Sequence, residues 1–566
     1  MVLKKRWIGK PLPSRQEAER LKNQLNSGII EAVLLLQRGI TTVEEAKYYF
    51  NPSLLTLHDP FLMKNMEKAV SRLHQAISSH EKILIYGDYD VDGTTAVSIM
   101  YKYLSSFYPH VRYYVPDRFS EGYGISKDGV DFAEKNGISL IIALDCGIKE
   151  IENAEYSRSL GIDMIICDHH NPGNNIPNAY AVLNPKQADC PYPYKELSGC
   201  GVGFKLIQAY ENQYNTNFDI FSLLDYVAVS IASDIVPMTG ENRALCFLGL
   251  EKLNTLPSIP FQAMLNILKP GHKMDVNDLV FLIGPRLNAS GRISHASITV
   301  EFLISKTIAE AGKFFQEINT NNTERQDIDL HTLEEAKMMI DNDESLKNAK
   351  TTVLFHPGWH KGVIGIVASR LIDYYYRPTI LLTETDGQLT GSARSIPGFD
   401  LYSALEKCRE YLDKFGGHQF AAGLSLDKNM LDLFRNRFEQ VVSESITDEM
   451  LIPMVEYDLE LRPEHISLNL IDIVEKFAPF GPENMKPRFV LRKMKCAEEP
   501  RIVGNNHLRF AIRCNGSRIS CIAFGMGDLL KKISKYEFDI CFYIEKNIWN
   551  GNTYIQLNIK DIHIVQ

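Results

Sequence analysis

The chain has 566 residues, 45% of them hydrophobic and 23% charged, and carries a formal net charge of −9. This length exceeds what one hydrophobic core serves, so two to four domains of an ordinary globular protein are expected. The sequence contains no run of about 18 apolar residues, so no membrane span is expected. The basic start is not followed by the apolar segment of a secretory signal, so no such signal is expected.

Residues 1–50 are interpreted as a lead-in in which no chemistry is evident. The ten cysteines of the chain include no CxxC pair, which argues against a disulfide framework and against a zinc ribbon. A reducing cytoplasm is therefore the expected location. The negative net charge is not typical of a nucleic-acid binder, although an average can hide local basic patches.

From about residue 80 to 235, short apolar runs alternate with segments of helical periodicity. Five of the runs predict strands: KILIYGD, VRYYVP, SLIIALDCG, DMIICDHH and AYAVLNP. Apolar strands that alternate with helices predict a parallel sheet covered on both faces. In such sheets ligands bind beyond the carboxyl ends of the strands.

Acidic side chains follow three of these strands. Asp88, Asp90 and Asp92 follow the first strand, Asp145 follows the third, Asp168, His169 and His170 follow the fourth, and Asp234 follows a later helical segment. Carboxylates gathered at one edge would not stay ionised together without positive charge. Oxygen and imidazole ligands suit Mn²⁺ or Mg²⁺, and they suffice for two ions that serve phosphoryl transfer. Asp88 alone is interpreted as a cap or supporting residue.

An alternative comes from DVDGT, residues 90–94, which matches the signature of haloacid-dehalogenase-type phosphatases. That family also needs a serine or threonine at a later strand end, then a lysine and another acidic pair. Here the third strand ends in Asp145-Cys146-Gly147 and the fourth in Asp168-His169-His170. The alternative fails at those later positions.

Four motifs, GDYDVDG, LIIALDCGI, CDHH and SDIV, are similar to those of the DHH phosphoesterase family, named for its Asp-His-His. Three segments resemble its branch of single-strand-specific DNA exonucleases: PDRFSEGYG at 116–124, GCGVGFKL at 199–206 and GPRLNASGRI at 284–293. Beyond about residue 350, GWHKGVIGIVASRL, GSARSIPGFDL and FGGHQFAAGLSL resemble the partner domain DHHA1. The resemblance covers roughly residues 50 to 566.

The resemblance implies two divalent cations, Mn²⁺ or Mg²⁺, held by Asp90, Asp92, Asp145, His169 and Asp234. Asp145 is expected to bridge the ions, and Asp145, His169 and His170 are the expected catalytic residues. His170 is expected to contact the scissile phosphate or to orient its neighbours. One departure is Tyr86, a position where many members carry a histidine, so the division of ligands between the ions stays open.

Ser392 and Arg394 alternate in GSARS and would share one face of a strand, where a hydroxyl beside a guanidinium suits a terminal phosphate. Two glycines before His418 permit close approach of the backbone to a ligand. An exposed loop arginine is the alternative. The resemblance favours the phosphate site and implies that it holds a 5′ end. Candidates for backbone contact near the cleft are Arg118, Arg286, Asn288 and Arg292.

Residues 306–345 are polar with helical periodicity, which predicts a long connecting helix. From Arg488 to Gln566 there are 13 Lys and Arg against 7 Asp and Glu, a local excess of +6. Five β runs and one helix in this region predict an OB-fold barrel, a fold that binds single strands through basic grooves and aromatic side chains. Trp549 is expected to be exposed. The alternative is a β-domain that only braces the rest.

The sequence thus predicts an α/β protein in five segments: a lead-in (1–50), a parallel-sheet DHH catalytic domain (51–305), a connecting helix (306–345), an α/β DHHA1 domain (346–450), and a linker with an OB-fold nucleic-acid-binding domain (451–566). The resemblance implies a metal-dependent 5′-to-3′ exonuclease that degrades single-stranded DNA to 5′-mononucleotides in recombination and repair. The alternatives are a phosphodiesterase on short oligoribonucleotides or cyclic dinucleotides, and a non-catalytic replication scaffold. A monomer without membrane attachment is expected, with single-stranded DNA, a single-strand-binding protein and a helicase as partners.

Overall fold

In the computed structural model, which describes residues 4–385 and 387–565, the chain begins with β1 (Arg6–Gly9), α1 (Arg15–Leu25) and α2 (Ile29–Leu36). Contacts between residues divide the chain into two units. The terminal unit contains the chain up to residue 37, residues 324–475 and the chain from 487 onward. The central unit contains residues 38–323 and 476–486, so the chain passes between the units four times. The predicted lead-in is therefore divided between them.

The central unit is built on a parallel sheet whose strands lie in the order β3-β2-β4-β5-β6. Its first elements are α3 (Val43–Phe50), α4 (Met66–Ser78), β2 (Lys82–Gly87), α5 (Val91–Ser105), β3 (Val111–Tyr114), α6 (Lys127–Lys135), β4 (Ile138–Leu144), α7 (Ile151–Ser159), β5 (Asp163–Cys167) and β6 (Ala181–Leu183). Ile83 and Ile85 pack into one hydrophobic cluster and Leu84 and Tyr86 into another, so both faces of the sheet are covered. The predicted parallel sheet is confirmed.

Helices complete the central unit. They are α8 (Gly199–Tyr214), α9 (Leu224–Ser233), α10 (Gly240–Thr255), α11 (Ile259–Leu268), α12 (Val276–Asp278), α13 (Gly284–Ile293) and α14 (Ser297–Ile304). A π-helical stretch, Leu279–Ile283, joins α12 to α13. Nearly every residue of α9 is buried, because this helix lies between α10 and α5 rather than at the surface.

The predicted connecting helix is confirmed as α15 (Ile308–Asp341), whose 34 residues span about 50 Å at a rise of about 1.5 Å per residue. The α/β part of the terminal unit follows. Its elements are α16 (Glu344–Asn348), β7 (Thr352–Phe355), α17 (Ile364–Tyr375), β8 (Thr379–Thr385), β9 (Gln388–Arg394), α18 (Leu401–Glu406), β10 (Lys414–His418), β11 (Ala421–Leu426) and α19 (Leu431–Ser445). The strands lie in the order β10-β11-β9-β8-β7.

After α19 comes β12 (Met454–Tyr457), which pairs in parallel with β1 as a separate two-stranded sheet. The predicted barrel follows, with the elements β13 (Leu459–Glu460), α20 (Leu468–Lys476), β14 (Phe489–Met494), β15 (Arg501–Val503), β16 (His507–Cys514), β17 (Ser517–Ala523), α21 (Leu530–Ile533), β18 (Phe538–Trp549) and β19 (Asn552–Ile564). The strand order is β13-β14-β18-β19-β17-β16-β15, and Ala497 N–H donates to the Ala511 carbonyl, which brings the chain after β14 back to β16. The five predicted β runs are β14, β16, β17, β18 and β19.

Candidate metal centre and phosphate-binding residues

Acidic and imidazole side chains meet at the carboxyl edge of the central sheet. Three sets each offer ligand atoms within 4.8 Å of one another: Asp145, His169 and His170; Asp92, His169 and Asp234; Asp88, Asp90 and Asp145. The structure thus brings together the five side chains that were expected to bind metal. It adds Asp88, which the sequence analysis interpreted as a cap. The alternation of aspartates at 88, 90 and 92 is the sequence feature that could have placed Asp88 in this cluster.

His169 lies at the centre of this cluster. Its Nε2 is 3.2 Å from Asp145 Oδ1, 3.5 Å from Asp234 Oδ2 and 3.7 Å from Asp92 Oδ2. Within the described residues, neither ring nitrogen of His169 has a hydrogen-bond partner, and Asp145 Oδ1 and Asp88 Oδ1 have none either. Buried polar atoms without partners are costly unless an ion joins them. The donor set fits a divalent cation such as Mn²⁺ or Mg²⁺.

The shifted pKa values of the cluster also indicate a cation site. Burial, reinforced by the charges of Asp92 and Asp90, raises the pKa values of Asp145 and Asp234 well above the ordinary range. Burial also lowers the pKa of His169, which favours its neutral, metal-binding form. The cluster therefore holds more negative charge than it stabilises by itself, and cations would compensate that charge.

Two backbone features place Asp145. Its φ of 61° is left-handed, a conformation that is uncommon outside glycine and concentrates at functional sites. Its N–H donates to the Cys167 carbonyl at the end of β5. The first residue of α8, Gly199, approaches so closely that a Cβ there would lie 2.4 Å from Asp145 Oδ1. Only glycine fits between the helix start and this carboxylate.

The start of α8 also holds Asp92. The Asp92 carboxylate accepts hydrogen bonds from the Gly199 N–H at 2.6 Å, the Cys200 N–H at 2.8 Å and the Ser230 hydroxyl at 2.6 Å. The positive end of the helix dipole favours a carboxylate at this place. The segment GCGVGFKL was noticed in the sequence, but this role for it was missed, because nothing local showed which side chain α8 would meet.

His170 is oriented by Asp168. The His170 Nδ1 is 2.8 Å from Asp168 Oδ1, and the same carboxylate accepts the backbone N–H groups of His169, His170 and Ile148. Burial alone would raise the pKa of Asp168, but the hydrogen bond and charge of His170 lower it to about 2. The hydroxyl of Tyr123 lies 3.1 Å from His170 Nδ1 and donates to the Asp145 carbonyl. Sequence reasoning missed Tyr123.

Tyr86, which stands where many family members have a histidine, does not join the metal cluster. Its ring is buried among the helices on the other face of the sheet, and its hydroxyl donates to the Gly124 carbonyl at 2.9 Å. The same hydroxyl accepts the N–H of Ser126 at 3.0 Å. Tyr86 therefore anchors the loop that carries Tyr123, while Asp88, at the end of the same strand, supplies a further carboxylate.

The four expected backbone contacts differ in their surroundings. The Arg118 guanidinium lies 4.6 Å from the ring centre of Tyr89, which is the residue between Asp88 and Asp90. Burial raises the pKa of Tyr89, and the positive charge of Arg292 opposes this rise. Arg286 donates to Asn319 and to the Leu282 carbonyl. The Asn288 side-chain oxygen accepts the N–H of Val91, the first residue of α5. Asn288 therefore positions the helix that follows Asp90.

The expected phosphate-binding residues of the terminal unit share one face of its sheet. Ala421 of β11 is paired with Arg394 of β9 on one side and with His418 of β10 on the other. Directly opposed residues present their side chains on the same face. Arg394 donates to the Ser392 hydroxyl at 2.9 Å, and a Cβ on Gly365, in the first turn of α17, would lie 2.8 Å from both. A guanidinium, a hydroxyl and a helix start thus meet, which suits a phosphate.

The barrel presents a basic outer face. Arg501 is paired with Arg509 across β15 and β16, and Arg513 with Arg518 across β16 and β17, with all four side chains exposed. Like charges directly opposite each other destabilise a sheet. Arg518 is paired with Glu498, and a bound anion would offset the repulsion between Arg501 and Arg509. Trp549, at the end of β18, is 68% exposed as the sequence predicted. Exposed basic and aromatic side chains of this kind suit the phosphates and bases of a single-stranded nucleic acid.

Comparisons with known proteins agree with this arrangement. The chain matches the DHH family, N-terminal domain, over residues 82–231, the DHHA1 domain over 348–444 and the RecJ OB domain over 457–561. It is 38% identical over 556 residues to the single-stranded-DNA-specific exonuclease RecJ of Bacillus subtilis, covering 97% of this chain and 70% of that protein. The Escherichia coli counterpart is 33% identical over 528 residues, covering 88% and 90%. The crystal structure of RecJ in complex with Mn²⁺ from Thermus thermophilus superposes with a TM-score of 0.85 at 25% identity, covering 99% of this chain and 80% of that one.

Proposed function

The chain belongs to the RecJ family of single-stranded-DNA-specific exonucleases, and we propose from this membership that it removes 5′-mononucleotides from single-stranded DNA in the 5′-to-3′ direction, with two divalent cations as cofactors. The observation that carries the proposal is the placement of His169, whose unpartnered Nε2 faces the carboxylates of Asp92, Asp145 and Asp234. A cluster of this kind is arranged for cations and for phosphate chemistry.

In this proposal the cations are Mn²⁺ or Mg²⁺, bound by Asp90, Asp92, Asp145, His169 and Asp234, with Asp88 beside them. Such ions neutralise the charge of the scissile phosphate and lower the pKa of nearby water. The protein contributes the rigid placement of the ligands. The start of α8 fixes Asp92, and the strained backbone of Asp145 directs its side chain into the cluster.

His170 contacts the scissile phosphate. Burial opposes a charged ring, but the adjacent Asp168 raises the pKa of His170, so the cationic form that binds a phosphate oxygen is favoured. Tyr123 and Asp168 keep the imidazole in one orientation. Arg118 and Arg292 bind the backbone of the strand on either side of the cleaved bond. No covalent intermediate with the protein is required.

Ser392, Arg394 and His418 hold the 5′ phosphate of the strand. This contact defines which end is attacked, because only a strand end offers a terminal phosphate to a bidentate guanidinium. The barrel holds the remainder of the strand through Arg501, Arg509, Arg513 and Trp549. A single-strand-binding protein and a helicase that exposes single strands are the proposed partners of a monomeric enzyme.

A cytoplasmic location is part of the proposal. All ten cysteines are free thiols and nine of them are buried, as in proteins of a reducing compartment. Among the described residues, no helix combines the length and the apolar character that crossing a membrane requires.

The test uses single-stranded DNA oligonucleotides labelled at either end, incubated with the full-length chain in Mn²⁺ or in EDTA. Asp145→Ala is the test variant. Asp189→Ala is its control, because Asp189 is an exposed residue of the same unit whose carboxylate pairs with Lys64. The expected result is metal-dependent release of mononucleotides from the 5′ end by the wild type and the control, and loss of that release in Asp145→Ala.

Two other outcomes would change the conclusion. An inert long strand together with cleavage of di- and trinucleotides would assign the chain to phosphodiesterases of small substrates. Cleavage of neither substrate, with Mn²⁺ still bound, would contradict the enzymatic assignment and favour a scaffold.

A further inference from the structure

A short segment of the linker before the barrel belongs to the central unit rather than to its neighbours in the chain. This hook, Lys476–Lys486, has residues of the terminal unit on both sides, at 475 and at 487. A linker that only joined two domains would not need to pack against the unit it had left. The contacts of the hook with the central unit therefore indicate a further role.

The hook is fixed to the central unit by Asn484, which is only 2% exposed. Its side-chain N–H groups donate to the carbonyls of Phe477 and Pro479 at 3.0 and 2.8 Å. Its side-chain oxygen accepts from the Tyr49 hydroxyl at 2.7 Å and from Arg38 Nε at 2.8 Å. Every donor and acceptor of the amide is thus used, which fixes one conformation of the hook.

The other side of the hook contacts the loop that follows Asp234. The N–H of Met238 donates to the Pro482 carbonyl at 2.8 Å. Gly481 lies so close that a Cβ there would be 2.9 Å from the Cβ of Met238. The hook therefore clamps residue 238, four positions after a side chain of the metal cluster.

The loop between Asp234 and Met238 needs such support. Ile235 has a left-handed φ of 59° and is 64% exposed. This conformation is strained for a β-branched residue, and strained positions persist only where their surroundings hold them. Pro237 is held on one side, since its carbonyl accepts from Asn242 and Tyr194. The hook holds the next residue, Met238, from the other side.

We propose that the hook is a positioning element for Asp234, with Asn484 and Gly481 as its principal residues. It links the chain that leads to the DNA-binding barrel with one ligand of the metal centre. The inference rests on the proposed function, because it takes Asp234 as a metal ligand. Loosening the hook releases Met238, relaxes Ile235 and lets Asp234 withdraw. This weakens binding of the cation that Asp234 holds, while the set formed by Asp88, Asp90 and Asp145 stays in place.

The test is a titration of Mn²⁺ into the DNA-free full-length chain, followed by calorimetry or by electron paramagnetic resonance of the unbound ion. Gly481→Ala pushes on Met238, and Tyr49→Phe removes one hydrogen bond to Asn484 with little change in volume. Met485→Ala is the control, because its side chain is 52% exposed and only its backbone carbonyl is used by Arg38. Thermal melting reports whether each variant is folded.

The expected result is an increase of about tenfold in the dissociation constant of one of the two Mn²⁺ ions in Gly481→Ala, a smaller increase in Tyr49→Phe, and none in Met485→Ala. Excess Mn²⁺ should restore DNA cleavage. In an Asp234→Ala background the hook substitutions should cause no further loss of Mn²⁺ binding, because they act through Asp234.

Wild-type Mn²⁺ affinity in both folded hook variants would overturn the inference while leaving the proposed function intact. An equal loss in the Asp234→Ala background would overturn it as well, since the hook would then act elsewhere. A wild-type chain that binds no Mn²⁺ would contradict the proposed function itself.

Discussion

Replacing Gly199 by alanine is expected to damage the metal centre far more than the fold. The added Cβ would lie 2.4 Å from Asp145 Oδ1 and 2.6 Å from Asp145 Cβ, whereas ordinary contact begins near 3.4 Å. Either Asp145 or the start of α8 must therefore move by about 1 Å, and a displacement of that size among reacting groups costs about 100-fold in rate, or about 2.7 kcal/mol. Alanine is otherwise the better helix former by up to about 1 kcal/mol, which offsets part of the strain.

The assay compares kcat/KM on a 5′-phosphorylated single strand with the thermal melting temperature of the same preparation. Gly201→Ala is the matched control, because it lies in the same helix turn and its Cβ would approach nothing closer than 3.3 Å. The expected result is a fall of about 100-fold in kcat/KM for Gly199→Ala at nearly unchanged melting temperature, with the control close to wild type. Wild-type activity in Gly199→Ala would refute the reasoning that Asp145 must occupy its present place.

Three further substitutions test other parts of the site. Asp168→Asn should lower kcat about 10- to 100-fold by releasing His170. The pKa of Asp168, about 2, lies below its unfolded value, so its contribution to stability is present above about pH 4 and is lost as the pH falls toward 2. In chemical denaturation the variant should therefore lack this acid-dependent loss of stability. Arg394→Ala should raise KM at least about tenfold for 5′-phosphorylated strands and leave 5′-hydroxyl strands nearly unchanged, and equal effects on both would contradict a terminal-phosphate contact. Arg509→Ala with Arg513→Ala should reduce the slope of log affinity against log salt by about 0.7 per lost phosphate contact, measured by fluorescence anisotropy with labelled strands, and an unchanged slope would exclude this face of the barrel.

The convergence of Asp90, Asp145 and His169 could be predicted because it follows from topology alone. Apolar strands that alternate with helices form parallel sheets, and the carboxyl ends of parallel strands meet at one edge. The long helix α15 and the barrel were predictable for a similar reason, since their periodicities are local. These features need no knowledge of which distant segments touch.

The partners of the ligands could not be predicted in this way. The hydrogen bond from Gly199 to Asp92 joins residues 107 positions apart, and nothing near Asp92 indicates which helix start it will meet. The direction of Tyr86 depends on which face of β2 it occupies, and both faces are apolar. The return of the hook to the central unit could not be predicted for the same reason, because its contacts with Tyr49 and Met238 join residues that are hundreds of positions apart.

The repeated passage of the chain between its two units has a consequence for biosynthesis. The ligands from Asp90 to Asp234 leave the ribosome early, and domains generally fold as they emerge. The clamp on Met238, however, waits for residues 476–486, which are made after the whole of the second α/β domain. A chain arrested before that point would carry a full set of metal-binding side chains with an unsupported Asp234. Assembly of the metal centre would thus wait until translation has passed residue 486, and products truncated before that residue would bind the cation at Asp234 weakly.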